Sequence, residues 1–497
     1  MNTTEQRMPK GIMSLYLIQM FSTFSFAVLY SSLSLYITNQ LGLSNHLSNS
    51  IVGLFLAFNF VLHLFGGLIG GNWLSNRSLF LFTTILQTFG ILCLIFPEST
   101  SLYLGLSLFL IGCGLNTTCY NSILTQRFSS CDPRRDKAFF ISYSTMNIGF
   151  WAGFICSGFF DASNHYEVIF YACIATNIIT SLLVIYCWKN INDINTTLTL
   201  APAQKQKIKG VGGVLFVVLL IPVLNICFKL PDFSNGLVIA ISILMFFVIL
   251  FVRNTQKILA DKQKLTAYLI LTITSIVFWM IYYTGPMGVT LFIKNNVDKQ
   301  LLGFDIPTQW ILNINSAVII IGSPLLAFLI SKLQNKGYTF PVSTQFIWAF
   351  LLLTVSFISL SCGIDFANEA GYTAFNWIIL HFVTQAIAEL FIGPVGYAMI
   401  GRIAPSHLQG LLMGSWMLVS GVSASLSHYF SNSMIQSESS DPLLSNSDYY
   451  HVFNELAMWA LAGALFLYLI AGKLRLFMNE ESNKNDPTSP ELLHQQK

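Results

Sequence analysis

The sequence predicts an all-α polytopic membrane protein with fourteen transmembrane helices. Of its 497 residues, 54% are hydrophobic and 9% are charged, whereas soluble domains carry about 25% charged residues. So few charges cannot cover a water-soluble protein of this length, which excludes soluble enzymes, nucleic-acid binders and disordered scaffolds. The apolar runs are also far longer than the roughly ten-residue alternating strands of an outer-membrane barrel.

Fourteen apolar segments are long enough to span a bilayer, which takes about 20 mostly apolar residues. The predicted spans are 12–38, 50–72, 78–96, 101–126, 137–161, 166–188, 211–229, 235–252, 265–293, 308–333, 341–361, 372–400, 408–430 and 450–473. The first run is itself long enough to span, so no cleavable signal peptide is expected.

The distribution of Lys and Arg predicts the orientation of the spans. On this map, 22 of the 25 Lys and Arg residues fall on the side of the N-terminus. The opposite side receives only Lys229, Lys294 and Lys299. Because cationic loops stay in the cytoplasm, both termini are expected there, with the protein in the inner (plasma) membrane. An odd number of spans would scramble this pattern, so the charges also support the count.

The spans group into two six-helix halves separated by an inserted pair. The expected divisions are an N-terminal tail, the N-terminal half, basic linkers with two extra helices, the C-terminal half and a C-terminal tail, at 1–11, 12–188, 189–264, 265–473 and 474–497. This arrangement is typical of the major facilitator fold, whose binding site lies near the midplane between the halves. Other all-helical folds with fourteen spans exist, so topology alone leaves the choice open.

One ionisable residue lies deep inside a predicted span. Glu389 is near the middle of 372–400, and the sequence offers no buried Lys or Arg to pair with it. Since intramembrane charges are costly and usually functional, we expect Glu389 to face a wet cavity, where it binds a cationic group or a proton. A protonated, hydrogen-bonded structural glutamate is the alternative. Pro394 follows closely, and its freed backbone carbonyl is tolerated at depth where it lines a cavity.

Histidines and aromatic residues provide further candidates. His381, eight residues before Glu389, and His63, in the second span, are candidates to relay protons, although a plain buried histidine is the more common role. Deep aromatic residues are candidates for a cavity wall or for packing, and they are Trp279, Tyr282, Tyr283, Trp377 and Trp416.

Several kinds of site have no sequence signature. The nine cysteines are scattered without CxxC or Cys/His clusters, so neither a disulfide framework nor a metal site is expected. HExxH, GxSxG and GxxxxGK[ST] motifs do not occur, which argues against an enzyme and against ATP as the energy source. We therefore expect no cofactor and no nucleic-acid partner.

Five stretches share a pattern with a known family. They are DPRRDKAFFISYSTMNIG (132–149), FWMIYYTGPMGVTLF (278–292), LNINSAVIIIGSPLLA (312–327), AELFIGPVG (388–396) and GLLMGSW (410–416). In this order and spacing they resemble the proton-dependent oligopeptide transporter family of the major facilitator superfamily, especially its bacterial dipeptide/tripeptide permeases. The first is similar to the family's loop into the fifth helix, and the others to its seventh, eighth, tenth and eleventh core helices.

The resemblance implies a transporter that works by alternating access, in which Glu389 corresponds to the glutamate that binds the amine of a peptide. It implies a midplane cavity with Glu389, Asn315, Trp279, Tyr282, Tyr283, Trp416, Asn147 and Asn116 as the substrate-binding candidates. We expect a monomer that binds a small peptide or peptide-like molecule within the lipid bilayer.

The chain departs from the family's pattern in its first half. The charges of the family's first-helix ExxER pattern fall on Gln19, Ser22 and Thr23, and its fourth-helix lysine falls on Thr117. The positions that couple protons and bind a carboxylate in the family are thus uncharged here. Because a carboxylate buried without a cation costs several kcal/mol, the site is predicted to bind one positive group and a neutral remainder. Ordinary dipeptides then become doubtful as the best substrates.

Three functions stay open at this point. The first is a secondary active transporter of di- or tripeptides or peptide-like molecules, with proton coupling undecided and Glu389 the principal proton carrier, helped by His381 or His63. The second is a divergent member that carries an amine-bearing or carboxylate-free metabolite without standard proton symport. The third is a non-transporting membrane sensor, which the short tails and linkers disfavour.

Overall fold

The computed structural model describes residues 8–128, 134–161, 165–301, 303–336, 340–403, 409–437 and 439–478. The helices of the N-terminal half are α1 (Ile12–Leu35), α2 (Asn45–Ile69), α3 (Asn76–Leu94), α4 (Ser99–Thr125), α5 (Arg134–Asp161) and α6 (Tyr166–Tyr186). The inserted pair is α7 (Ala203–Lys229) and α8 (Pro231–Thr255). The C-terminal half contains α9 (Leu259–Tyr282), α10 (Thr290–Asn296), α11 (Thr308–Ile311), α12 (Asn313–Asn335), α13 (Val342–Asp365), α14 (Phe375–Ile403), α15 (Gln409–Ser433) and α16 (Pro442–Phe477).

Short irregular elements complete the bundle. A π-helical turn, Tyr36–Gln40, follows α1, and a second one, Gly285–Val289, lies between α9 and α10. Two-residue strands pair as β1 (Val297–Asp298) with β4 (Thr373–Ala374) in parallel, and as β2 (Gln300–Leu301) with β3 (Phe304–Asp305) in antiparallel.

The predicted all-α membrane fold with fourteen long helices is confirmed, since all helices except α10 and α11 have 19 residues or more. Within the described residues, twelve segments are long and apolar enough to cross a membrane. The two long helices outside that set are α5, which begins with charged residues, and α15, which is rich in serine. Both pack inside the bundle, α5 against α1 and α15 against α2 and α9.

Helix ends agree with the predicted spans to within about five residues, with α9 and α10 taken as one span, except that α7, α9 and α16 begin six to eight residues earlier than predicted. α16 begins at Pro442 rather than at 450, because the side chain of Asp441 caps it by accepting a hydrogen bond of 3.0 Å from the backbone N–H of Leu443. α7 begins at Ala203 rather than at 211, so three lysines assigned to the linker belong to its first turns. Asp132 and Pro133 of the first-half motif lie outside the described residues, as do most of both predicted tails.

Apolar side chains form two large buried clusters. One is built mainly from α1–α6 with part of α7, and the other mainly from α9–α16. Close helix packing in the first cluster depends on Gly149 of α5, where an added Cβ would lie 2.4 Å from the backbone oxygen of Met20 in α1. Such tight approaches hold the polar face of α1 in a fixed position against α5.

Hydrogen bonds join the two halves at the membrane face where α1 ends and α2 begins. We call this the opposite face, because it lies opposite the face of the N-terminus. There, Asn49 Nδ2 donates to Asn432 Oδ1 at 3.1 Å, and Trp310 Nε1 donates to the backbone oxygen of Ile155 at 2.9 Å. Lys294 Nζ also donates to Asn39 Oδ1. We call this contact between the halves, formed by these three hydrogen bonds, the seam, and it closes the bundle on this side.

The inserted pair reaches the same seam. α7 packs against α4, whereas α8 packs against α2, α9 and α15. Asp232 in the first turn of α8 accepts a hydrogen bond of 2.6 Å from Ser50 Oγ, and the same carboxylate oxygen lies 3.9 Å from His428 Nε2. Ser50 belongs to α2 and His428 to α15, so α8 contacts both halves through one side chain.

Candidate functional site

A cavity of about 370 Å³ lies between the two halves, within the range of about 300–1,000 Å³ that is typical of small-molecule sites. Its wall takes side chains from α1, α2, α3, α4, α5, α9, α12 and α14. The α1 residues in the wall are Gln19, Ser22, Thr23, Phe26 and Tyr30. Their spacing of three, four, seven and eleven residues from Gln19 places them on one face of the helix.

α5 contributes a second polar-aromatic face with the same spacing. Its lining residues are Tyr143, Met146, Asn147, Phe150 and Phe154. Sequence reasoning selected Asn147 but missed the aromatic residues around it. The helical spacing from Asn147, and from Gln19 on α1, is the signal that would have identified them.

Aromatic rings from α1 and α5 interlock along this wall. Tyr30 and Phe150 meet edge to face with ring centroids 6.5 Å apart, and Phe150 lies 5.7 Å from Phe154. On α9, Trp279 lies 5.2 Å from Tyr282 and 5.7 Å from Tyr283, all three in the cavity wall. Because aromatic faces attract cations, these rings suit a positively charged ligand.

Glu389 is held by two neutral donors from neighbouring helices. Tyr282 Oη donates to Glu389 Oε2 at 2.6 Å, and Asn315 Nδ2 lies 3.3 Å from that oxygen and 3.3 Å from Tyr282 Oη. Among the described residues, no side chain or backbone group bonds to Oε1 of Glu389. The cluster therefore fixes the carboxylate and leaves one of its oxygens available to a ligand.

The charge in the wall has one sign. Glu389 is the only acidic residue among the described lining residues, and none of these is a lysine or an arginine. His63 also lines the cavity, and its Nε2 has no hydrogen-bond partner in the described part of the chain. A cavity whose described wall holds one carboxylate and neither lysine nor arginine favours a cationic ligand.

The uncharged positions predicted on α1 and α4 do lie in the wall, and each hydroxyl bonds to its own helix. Ser22 Oγ and Thr23 Oγ1 donate to the backbone oxygen of Gln19 at 3.1 and 2.7 Å, and Thr117 Oγ1 donates to that of Cys113 at 3.2 Å. We call Gln19, Ser22, Thr23 and Thr117 the α1–α4 wall.

Asn116 lines the cavity, but its amide is engaged elsewhere. Its Oδ1 accepts a hydrogen bond from Thr83 Oγ1, and its Nδ2 donates to Thr84 Oγ1 at 3.0 Å. Both partners belong to α3. Asn116 therefore lies in the cavity wall, as expected, and its amide also fixes the contact between α3 and α4.

His381 lies outside the cavity wall, which corrects the expectation that it assists Glu389. It is completely buried, its Nδ1 is 2.7 Å from Ser356 Oγ of α13, and its ring packs edge to face on Phe357. The reason is helix periodicity: eight residues turn a side chain by about 80° from the starting face. Seven residues nearly restore that face, and Phe382, seven before Glu389, does line the cavity.

Trp416 also lies outside the described cavity wall, contrary to the expectation. It is 5% exposed and packs against Tyr268, with ring centroids 6.1 Å apart. Trp377, the third residue of α14, stacks on Phe366 with ring centroids 5.9 Å apart. Both tryptophans contact other rings of the C-terminal half, and neither is among the described lining residues of the cavity.

Fold and cavity together define a polytopic carrier with a central small-molecule site. The protein-family model described as PTR2, POT family, matches residues 77–447, and the chain belongs to this family. It is 26% identical over 481 residues to "Dipeptide and tripeptide permease A" of Klebsiella pneumoniae, covering 96% of this chain and 94% of that protein. It is 27% identical over 484 residues to "Dipeptide and tripeptide permease B" of Xenorhabdus bovienii, covering 95% and 97%.

Solved structures of the family share the fold. A peptide transporter POT in complex with sulfate superposes with a TM-score of 0.82 at 22% identity, covering 95% of this chain and 96% of that one. A POT family transporter in complex with 5-aminolevulinic acid gives a TM-score of 0.81 at 19% identity, covering 94% and 97%. The predicted major facilitator arrangement is thereby confirmed.

Proposed function

We propose that the protein is a secondary transporter that moves short peptides or peptide-like small molecules by alternating access. The observation that carries the proposal is the Tyr282–Glu389–Asn315 cluster in the wall of a cavity between two helical halves, where no described residue bonds to the second oxygen of the carboxylate. An ammonium group of the substrate pairs with Glu389 and lies among the rings of α9. The relatives named as dipeptide and tripeptide permeases support this function over a membrane sensor or a carrier of unrelated metabolites.

In this proposal the two halves rock about the cavity. The orientation that accords with the Lys and Arg distribution places both termini in the cytoplasm and the opposite face outside, in the inner membrane, with the protein acting as a monomer. The seam hydrogen bonds then close the outer side. Transport requires that these bonds break and that contacts form near the other face.

Glu389 is the proposed proton carrier as well as the amine ligand. A carboxylate that holds an ammonium group cannot hold a proton at the same time, so substrate cation and proton compete for it. This competition supports an exchange of protons for cationic substrate, or else uncoupled movement down the substrate gradient. His63 is the only histidine among the described residues of the wall and is the second candidate.

Counterflow in proteoliposomes tests the function. The purified full chain is loaded with an unlabelled dipeptide, its carboxyl-blocked form or a simple amine, and accumulation of the labelled compound is followed. Saturable accumulation is expected for the wild type and for Glu455→Gln, whose exposed side chain lies on α16 outside the cavity wall. Glu389→Gln is expected to lose most of it. Failure of every compound to accumulate with the wild type would refute the proposal.

A further inference from the structure

The three hydroxyl groups of the α1–α4 wall offer a substrate hydrogen-bond acceptors without positive charge. Each of its three hydroxyl groups donates its proton to a backbone oxygen three or four residues earlier. A hydroxyl has one donor and two acceptor lone pairs, so the lone pairs are what Ser22, Thr23 and Thr117 present to the cavity. This part of the wall suits a ligand group that carries N–H or O–H.

Neutral donors are also present in the cavity. Gln87 of α3 and Gln385 of α14 both line it and are 1% and 3% exposed. The Nε2 of each has no hydrogen-bond partner among the described residues. Buried amide N–H groups without a partner are costly, and a carbonyl oxygen of a bound ligand would satisfy them. The glutamine amides are themselves uncharged, so they do not neutralise a charged group of the ligand.

A free carboxylate and a carboxamide therefore meet this cavity differently. A carboxylate has acceptor oxygens only, so it can accept from the glutamine N–H groups but gains nothing from the three hydroxyls, whose protons are engaged. It also shares the cavity with Glu389, without any described lysine or arginine to neutralise it. Burying a charge without a partner is strongly unfavourable. A carboxamide donates N–H to the hydroxyl oxygens and accepts from glutamine N–H, and it carries no charge.

We infer that the cavity selects substrates that carry a protonated amine at one end and a neutral, N–H-bearing end such as a carboxamide at the other, in preference to zwitterionic dipeptides. Glu389 with the α9 rings holds the amine, and the α1–α4 wall, together with the amide of Gln87 on the adjacent α3, holds the neutral end. The inference rests on the proposed function and specifies its substrate class as short peptide amides and related amino amides.

A matched ligand pair tests this selectivity on the unaltered protein. Binding of alanyl-alanine and of alanyl-alaninamide to the purified full chain is measured by titration calorimetry at neutral pH. The amide is expected to bind at least about tenfold more tightly, because only the free acid brings an unpaired charge. Equal binding, or tighter binding of the free dipeptide, overturns the inference and leaves the proposed function standing. Binding of neither compound overturns both.

A charge introduced into the α1–α4 wall provides the second test. Thr117→Lys places an ammonium group where a carboxylate end would lie, so the preference is expected to shift toward free alanyl-alanine by about tenfold or more. Thr199→Lys, an exposed residue between α6 and α7, adds the same charge outside the cavity and is expected to leave the preference unchanged. An unchanged preference in folded Thr117→Lys protein overturns the assignment of the neutral end to the α1–α4 wall. If this variant does not fold, the comparison of the two ligands on the unaltered protein still decides the selectivity.

Discussion

Tyr282, the last residue of α9, donates a hydrogen bond of 2.6 Å to Oε2 of Glu389 in the middle of α14. Nδ2 of Asn315, on α12, lies 3.3 Å from Tyr282 Oη and 3.3 Å from the same Oε2 of Glu389. The three side chains come from three helices, so the position of the carboxylate depends on how these helices pack. Charge-assisted hydrogen bonds of this kind are stronger than neutral ones, which makes the cluster a firm anchor for a cationic ligand.

Removing the titratable group at 389 is expected to abolish the pH dependence of transport. In the wild type, a falling pH protonates Glu389 and weakens amine binding, whereas Glu389→Gln keeps the shape of the side chain without titrating. Binding of the amine is expected to fall by about 1–3 kcal/mol, the range for leaving a buried polar partner unsatisfied. The counterflow that remains in Glu389→Gln, followed across a pH series at high substrate concentration, provides the measurement, with His63→Gln expected to retain the pH response. Fully pH-dependent uptake by Glu389→Gln would place the carrier elsewhere.

Loss of the Tyr282 hydroxyl is expected to weaken amine binding without removing it. Tyr282→Phe deletes the 2.6 Å bond to Glu389 and makes the ionised carboxylate less favourable. The affinity is expected to fall by roughly three- to tenfold at neutral pH, as for one hydrogen bond, and more at acidic pH. Titration calorimetry measures the change, with Tyr186→Phe as the control because that side chain is 88% exposed. Wild-type affinity in Tyr282→Phe would show that the bond does not position the carboxylate.

His381 is expected to matter for stability and not for proton coupling. Its ring is buried and bonded to Ser356, so His381→Gln is expected to cost about 1–3 kcal/mol of folding free energy. Thermal unfolding in detergent measures this loss, and counterflow is expected to keep its wild-type pH profile. His451→Gln, at an exposed site on α16, serves as the control. A changed pH profile in folded His381→Gln protein would contradict the position of His381 outside the cavity.

Linking the seam is expected to stop the transport cycle. Asn49 and Asn432 bond directly across it at 3.1 Å, so Asn49→Cys and Asn432→Cys together are within reach of a short, cleavable thiol cross-linker. Cross-linked protein is expected to bind substrate but not to transport it, and cleavage is expected to restore transport. The two single variants and the unaltered protein, which has only its native cysteines, show how much inhibition arises from cross-linking at other sites. Undiminished transport by cross-linked protein would mean that the seam does not open.

Much of the fold follows from the sequence because apolar runs and cationic loops are strong, local signals. Helix starts were missed where a cap such as Asp441 or a polar first turn extends a helix past its apolar run. Part of the site was also predictable, since Glu389 is a lone deep acid and Asn315 and Tyr282 lie in recognisable motifs.

What the sequence could not show is how polar side chains of one helix contact its neighbours. The distribution of residues along one helix shows which of them share a face, but not which neighbour takes up their polar atoms. Asn116 is engaged by two threonines of α3, and His381 by a serine of α13. Neither partner has a fixed spacing from the residue it binds, so no sequence pattern could identify it.

The contact of Asp232 with both Ser50 and His428 bears on how the molecule moves. If the halves separate at the opposite face, this carboxylate cannot remain close to both partners, and α8 must travel with one half while water replaces the other contact. The energy needed to open the seam then includes the exchange of one polar partner for solvent, at a residue remote from the cavity. If the seam opens in this way, the inserted helices contribute to the energy of opening, besides connecting the halves.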